Sequence, residues 1–202
     1  MIKPASSTIP PKTRPVICEE EVAALADRHG SPLRRTYQMQ ADEYLHKYRF
    51  NTDSDRRAEV VFAIEDPFSR VWVHAKGHYP SHIFRLPSGG IHWDEAVEDA
   101  LLREVAEETA FAVEIKQFIG VLDYQLHYHG NTAHFASYVF HLGAGDAKPS
   151  PHDTEGISEF RTVLPSQLCG LAADMRNLIG DRHGWGQFRA ISHDLVYEHL
   201  TG

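Results

Sequence analysis

The stretch from Leu86 to Phe111, LPSGGIHWDEAVEDALLREVAEETAF, restricts the fold more than any other part of the chain. Val97, Leu101, Glu104 and Glu108 stand at i, i+4, i+7 and i+11, and Ala100, Glu104 and Glu107 at i, i+4 and i+7. On a helix, three glutamates therefore continue the apolar stripe. A solvated acidic face would oppose Val97, Ala100 and Leu101 instead. The helix is expected to begin by packing on other structure and to end by sending three carboxylates the same way, into a cleft. The dipole at that C-terminal end disfavours carboxylates, by up to about 1 kcal/mol each when exposed. At the other end Asp94 is the expected N-cap, followed by Glu95, Glu98 and Asp99, where the dipole favours acids.

Three partly buried like charges stay ionised together only if a cation compensates them; otherwise their pKa values rise. Oxygen donors without thiolates suit Mg2+ or Mn2+, hard ions that keep some waters and bind substrate phosphates. The formal charge of −8 argues against a polymeric nucleic acid as partner and implies that a small anionic substrate needs a bound cation. The alternative is an acidic helix end balanced by Arg103 and open to water, which the stripe arithmetic opposes.

Around this helix the patterns switch to strands. VVFAIED and RVWVHAKG read as a hairpin about Pro67-Phe68-Ser69, and Ile83 to Leu86, Val113 to His129, His134 to Leu142 and Ile157 to Val163 as further strands. Leu168 to Ile179 and Phe188 to Leu200 read as amphipathic helices, with Gly184-Trp185-Gly186 between them. Upstream, residues 1–16 carry four prolines and suit an extended, partly mobile arm, Cys18 to His29 a short helix, and 51–57 a polar link. Tyr37 to Phe50 fits a strand or a helix. A length of 202 residues suits one domain with additions, divided here into an N-terminal extension (1–57) and a main domain with C-terminal helices (58–202). A sheet interrupted by one long helix, with more helices at both ends, implies an α+β fold, an α/β/α sandwich with a mixed sheet. Cys18 and Cys169 form no metal or disulfide pattern, and neither a secretory h-region nor a long apolar run is seen, so a cytoplasmic location is expected.

The central stretch resembles the Nudix box, G-x5-E-x7-R-E-U-x-E-E-x-G-U, where U is a bulky apolar residue. Gly89, Glu95, Arg103, Glu104, Val105, Glu107, Glu108 and Phe111 match at the correct spacing, and Ala110 replaces the last glycine. The strands over roughly 58–165 are compatible with that family's fold. The resemblance implies a hydrolase whose box glutamates bind divalent ions that activate water for attack on a diphosphate linkage. Glu104 and Glu108 are then the metal ligands, Glu107 a ligand or a base, and Glu95 and Arg103 the residues that orient the helix. Gly89 and Gly90 let the loop backbone approach metal or phosphate, and a carbonyl near Ser88 is a further ligand candidate. Glu155, with Asp153 second, is the candidate for an acid from a downstream loop. The implied substrate is a nucleoside diphosphate linked to another moiety, with Mg2+ or Mn2+ as cofactor. The rival reading is a catalytically silent module that senses a nucleotide. Because a left-handed residue usually ends such a helix, Ala110 predicts an altered exit.

His127 and His129 on one strand face suggest zinc, but no third ligand stands at convincing spacing. Tyr124 and Tyr128 are candidates for stacking on a base, with core packing the stronger reading for that strand face. The proline that often accompanies ADP-ribose hydrolysis is not seen. Trp185, Phe188, Ile191 and Leu195 form a stripe expected to pack on the domain, and a homodimer is left open.

Overall fold

A computed structural model describes residues 14–50, 56–80 and 82–202. Most of the proline-rich arm and of the expected polar link lies outside those residues. In chain order the elements are α1 (Glu19–His29), β1 (Leu33–Gln40), α2 (Glu43–Arg49), β2 (Arg56–Glu65), β3 (Val71–Lys76), β4 (Ser88–His92) and α3 (Val97–Thr109). They continue with β5 (Val113–Tyr128), β6 (Asn131–Ala144), β7 (Ile157–Val163), α4 (Leu168–Arg176) and α5 (His183–Thr201). The described strands form one mixed sheet in the order β1-β5-β6-β2-β3-β7, with β4 also paired to β2.

The strand period of two divides the core. Val60, Phe62 and Ile64 of β2 pack with Val97, Ala100, Leu101 and Val105 of α3 and with Val22 and Leu25 of α1. Val61 and Ala63 face the opposite layer, made by Leu45 of α2, Leu171 and Met175 of α4, and Phe188 and Leu195 of α5. The result is an α+β sandwich with helices on both faces. Every residue of β2 from Arg57 to Ile64 is buried, as a strand covered on both faces requires.

The site lies where the sheet forks. One edge of β2 runs parallel to β6, whereas its other partners are β4 over Arg56 to Val61 and β3 only at Glu65. β3 turns away to pair with β7, and a single bridge, His74 to Arg85, spans the opening. The strand expected over Ile83 to Leu86 reduces to that bridge, and the sixteen-residue β5 is matched across by β6 from Asn131 onward.

Several expectations need correction. The N-terminal segment supplies an edge strand, β1, parallel to β5 over Leu33 to Gln40. The ambiguous Tyr37 to Phe50 divides between β1 and α2. The glycines at 184 and 186 lie inside α5, where a Cβ on Gly186 would stand 2.0 Å from the Met175 carbonyl oxygen, so the missing side chain allows α4 and α5 to touch. Asp94 is not the N-cap of α3. That position is Ala96, and the Val97 N–H instead donates to Glu21 of α1 at 2.8 Å. The other oxygen of Glu21 accepts from buried Arg57 at 2.7 Å, so the first helix caps the third. His129 leaves the strand with φ 45°, so it does not share a face with His127. Among the described residues no helix is long and apolar enough to cross a membrane.

Candidate active site

The turn from β4 into α3 is held by one guanidinium. Arg103 donates to both oxygens of Glu95 (2.8 and 2.9 Å), to Glu104 (2.8 Å), to Glu107 (3.1 Å) and to the Gly90 carbonyl (2.8 Å). Glu95 in turn accepts the His92 N–H at 3.1 Å. Arg103 thus ties the loop to the helix, and its own proton is held more firmly than usual by Glu95.

Glu104 and Glu108 point inward with little exposure, and Glu107 is half-buried. A Cβ on Gly89 would stand 1.7 Å from Glu104 Cδ, so only glycine leaves room for that carboxylate against β4. The close approach of Gly89 is therefore to a box acid, and that of Gly90 is to Arg56, whose Cζ would lie 3.0 Å from an added Cβ. Glu108 Oε1 accepts from Lys76 Nζ at 3.1 Å. Its Oε2 is buried with no hydrogen-bond partner among the described residues, and His74 Nδ1 stands 4.0 Å away. Burial holds the His74 imidazole well below its ordinary pKa, and Arg85 and Lys76 depress it further, so it brings no charge to Glu108. Burial raises the pKa of Glu104 and of Glu108 against the pull of Arg103 on the first and of Arg85 and Lys76 on the second.

The loop after β6 completes this end of the site. Ser150 and His152 donate their N–H groups to the carbonyls of Thr109 and Glu107 at 2.9 Å, satisfying the open end of α3. That docking brings Glu155 to 3.4 Å from Lys76, whereas Asp153 is exposed. Glu155 is near enough to Glu104 to raise its pKa in part. Ser88 is buried, and its hydroxyl accepts from Arg85 (2.8 Å) and Arg189 (3.2 Å). Tyr124 lies in the core against Phe188, with ring centroids 4.7 Å apart, away from the acids. Tyr128 stacks on His46 at 4.1 Å, behind a cavity that His46 helps to line.

Several residues at the site escaped the sequence reading. Trp72, His74 and Lys76 alternate along β3 toward α3, so a buried strand carrying polar residues at i and i+2 was the available signal. Arg85, Glu59 and Arg189 meet only through the fold: Arg189 Nη1 lies 2.9 Å from both oxygens of Glu59, and Arg49 Nη2 lies 3.4 Å from one of them.

A family model described as NUDIX domain matches residues 55–181. The chain belongs to the Nudix family. A curated relative, ADP-ribose pyrophosphatase of Methanocaldococcus jannaschii, is 31% identical over 102 residues, which are 50% of this chain and 58% of that protein. The chain thus matches less than two thirds of that relative's length. Among solved structures, a NUDIX hydrolase from Nitrosomonas europaea shares the fold with a TM-score of 0.50 at 14% identity, covering 71% of this chain and 89% of that one. Nudix proteins generally use divalent metal ions, and the donors here suit one chemically: all are oxygens, two of the carboxylates are buried, and one buried oxygen lacks a partner among the described residues. Among the described residues no three acidic, histidine or cysteine side chains are already drawn together as a metal cage. Arg103 and Lys76 supply the counter-charge instead.

Proposed function

We propose that this Nudix protein is a Mg2+- or Mn2+-dependent hydrolase that cleaves the diphosphate linkage of a nucleoside diphosphate joined to another moiety, by attack of water at phosphorus. The observation that carries this reading is Glu108, sealed from solvent with one oxygen unpartnered at the end of a complete box helix. A bound ion would be held by Glu104, Glu107 and Glu108, with Glu155 and the backbone near Ser88 as further donors. It would lower the pKa of a bound water and stabilise charge on the phosphoryl group. The residues of the chain hold and orient. Arg103 fixes Glu104 and Glu107 through the Glu95 and Gly90 contacts, so the acids approach the reaction already aligned. Glu107, the most exposed of the three acids, is placed to accept a proton from water. The match to an ADP-ribose pyrophosphatase supports diphosphate hydrolysis as the reaction class.

The test is a panel of ADP-ribose, dinucleoside polyphosphates, NADH, nucleotide sugars and nucleoside triphosphates, assayed with Mg2+, with Mn2+ and with EDTA. Phosphate-product release that requires the ion supports the reading. No release from any member with either ion would refute it.

A further inference from the structure

Beside Lys76 a cavity of about 210 Å³ opens between α2, α5 and the end of β3. Its lining joins the rings of Tyr44, Tyr79 and Trp185 to the guanidinium groups of Arg49, Arg85 and Arg189. Lys76 belongs both to this lining and, at 3.1 Å from Glu108, to the acid cluster, so the cavity adjoins the reacting end of the site.

Among the described residues, the buried guanidinium groups of Arg49, Arg85 and Arg189 outnumber the carboxylates within ion-pair distance of them. Arg49 and Arg189 share one carboxylate, Glu59. Arg85 is buried and, among the described residues, donates to three uncharged groups, the Tyr79 hydroxyl, the Leu86 carbonyl and the Ser88 hydroxyl, each at 2.8 Å, while Glu108 and Glu59 act on it only through space. The Nε atoms of Arg49 and Arg189 are buried without a hydrogen-bond partner among the described residues, and the Arg49 side chain is only 8% exposed. The same excess is visible on a neighbour. Burial pushes the Tyr79 phenol up, yet Arg85, Arg189 and Lys76 bring it below its ordinary pKa. A neutral sugar placed here would leave buried guanidinium groups uncompensated, whereas phosphate oxygens match their forked donors. At ~30 Å³ per water the cavity equals about seven waters, room for one or two phosphoryl groups and below the ~300 Å³ at which whole-ligand pockets begin. Tyr44, Arg49, Trp185 and Arg189 all lie outside the matched segment 55–181, so the additions to the family domain build most of this pocket.

We propose that the cavity is a phosphate subsite that selects substrates bearing a further phosphate beyond the diphosphate that is cleaved, such as nucleoside triphosphates or longer polyphosphates, over sugar-linked diphosphates. This selection rests on the hydrolase reading; the binding of phosphate by the arginines does not. Inorganic tripolyphosphate is therefore titrated calorimetrically into the full chain in EDTA, for the wild type, Arg49→Gln and Arg189→Gln, with Arg49→Lys and Arg189→Lys as folding-tolerant variants that keep charge but lose the fork. Each variant is expected to bind at least about tenfold more weakly than the wild type, the loss anticipated for one charge-assisted contact. In Mg2+, the ratio of kcat/KM for ATP to that for ADP-ribose is expected to exceed one and to fall about tenfold in the same variants. Wild-type binding that the substitutions leave unchanged, no binding by the wild type, or a preference for ADP-ribose would each overturn the subsite. Arginine-dependent binding in EDTA from a protein that turns over nothing would instead uphold the subsite and remove the hydrolase reading.

Discussion

Glu59 and Glu108 are both sealed from solvent, at 3% and 1% exposure, yet their protons behave in opposite ways. Burial penalises both charges. At Glu59 the pull of Arg189 and Arg49, with a 2.8 Å hydrogen bond from Ser137, outweighs that penalty and the pKa falls. At Glu108 Lys76 serves one oxygen, the other has no partner among the described residues, and the pKa rises. Burial alone does not mark a functional carboxylate; the balance of its surroundings does. Glu59 is a strut that joins β2 to α5, whereas Glu108 has one lysine at ion-pair distance, too little to offset its burial.

The largest test of that contrast is Glu108→Gln. Loss of turnover by at least about 100-fold is expected, because losing a residue that only orients a metal ligand costs 10–100-fold and Glu108 is proposed as a direct ligand. The melting temperature of the metal-free variant should match or exceed the wild type, since Lys76 keeps Glu155 and an uncompensated charge is gone. A turnover rate equal to wild type would place Glu108 outside the metal site. Glu59→Gln should show the reverse pattern in stability. It strands Arg49 and Arg189 without their carboxylate, at a cost of about 3 kcal/mol in urea unfolding, the lower bound for breaking a buried pair. A cost under about 1 kcal/mol would mean that Glu59 is no more a strut than a surface ion pair is.

The two glutamates also show what was legible in the sequence. Glu108 could be placed because it lies on a continuous helix, where spacing alone puts it on the stripe with Val97 and Leu101. The strands and helices around it followed from equally local periodicity. Glu59 could not be placed, since an acid inside the run EVVFAI looks like the edge of a strand until Arg49 and Arg189, 10 and 130 residues away, close over it. The cap of α3 failed for the same reason. Asp94 was the local candidate, but Glu21 reaches the Val97 N–H from 76 residues upstream. Contacts between distant segments leave no periodic trace, and they built both the cap and the arginine pocket. Tyr37 to Phe50 was ambiguous because the last four residues of β1, Tyr37 to Gln40, and the seven of α2 share one window, which blends the two periods.

A pH series sharpens the comparison without replacing a charge outright. For Glu59, whose folded pKa is lowered, the stabilising contribution is full above the ordinary glutamate value and is lost as pH falls through the folded pKa. For Glu108, whose folded pKa is raised, the sign inverts. Between the ordinary value and the folded pKa the native state binds the extra proton, and stability declines as pH rises through that window. In metal-free protein the deficit of Glu59→Gln should therefore shrink in acid, while any advantage of Glu108→Gln should appear only above the ordinary glutamate value. Parallel curves for the two variants would show that the difference in surroundings does not reach their protons.

The smallest effect concerns the backbone that presents Glu108 rather than its charge. The helix exit was expected to change because Ala110 stands where glycine is usual, but Ala110 itself takes the left-handed conformation, φ 57° and ψ 20°, and its N–H still donates to the Ala106 carbonyl. Neighbouring contacts hold it there: Phe111 donates its N–H to the Thr109 hydroxyl at 3.2 Å, and its ring packs against Trp72 at 5.8 Å. The left-handed geometry costs an L-residue about 1–2 kcal/mol, and glycine returns roughly 0.4–1 kcal/mol of that through its freer unfolded chain. Ala110→Gly should therefore stabilise the fold by only about 0.5 kcal/mol, read as a shift in urea midpoint at constant slope. Because it alters no charge near Glu108, its stability curve against pH should run parallel to the wild type. A curve that bends differently near the Glu108 window would show that the exit geometry, and not burial alone, sets the proton affinity of that carboxylate.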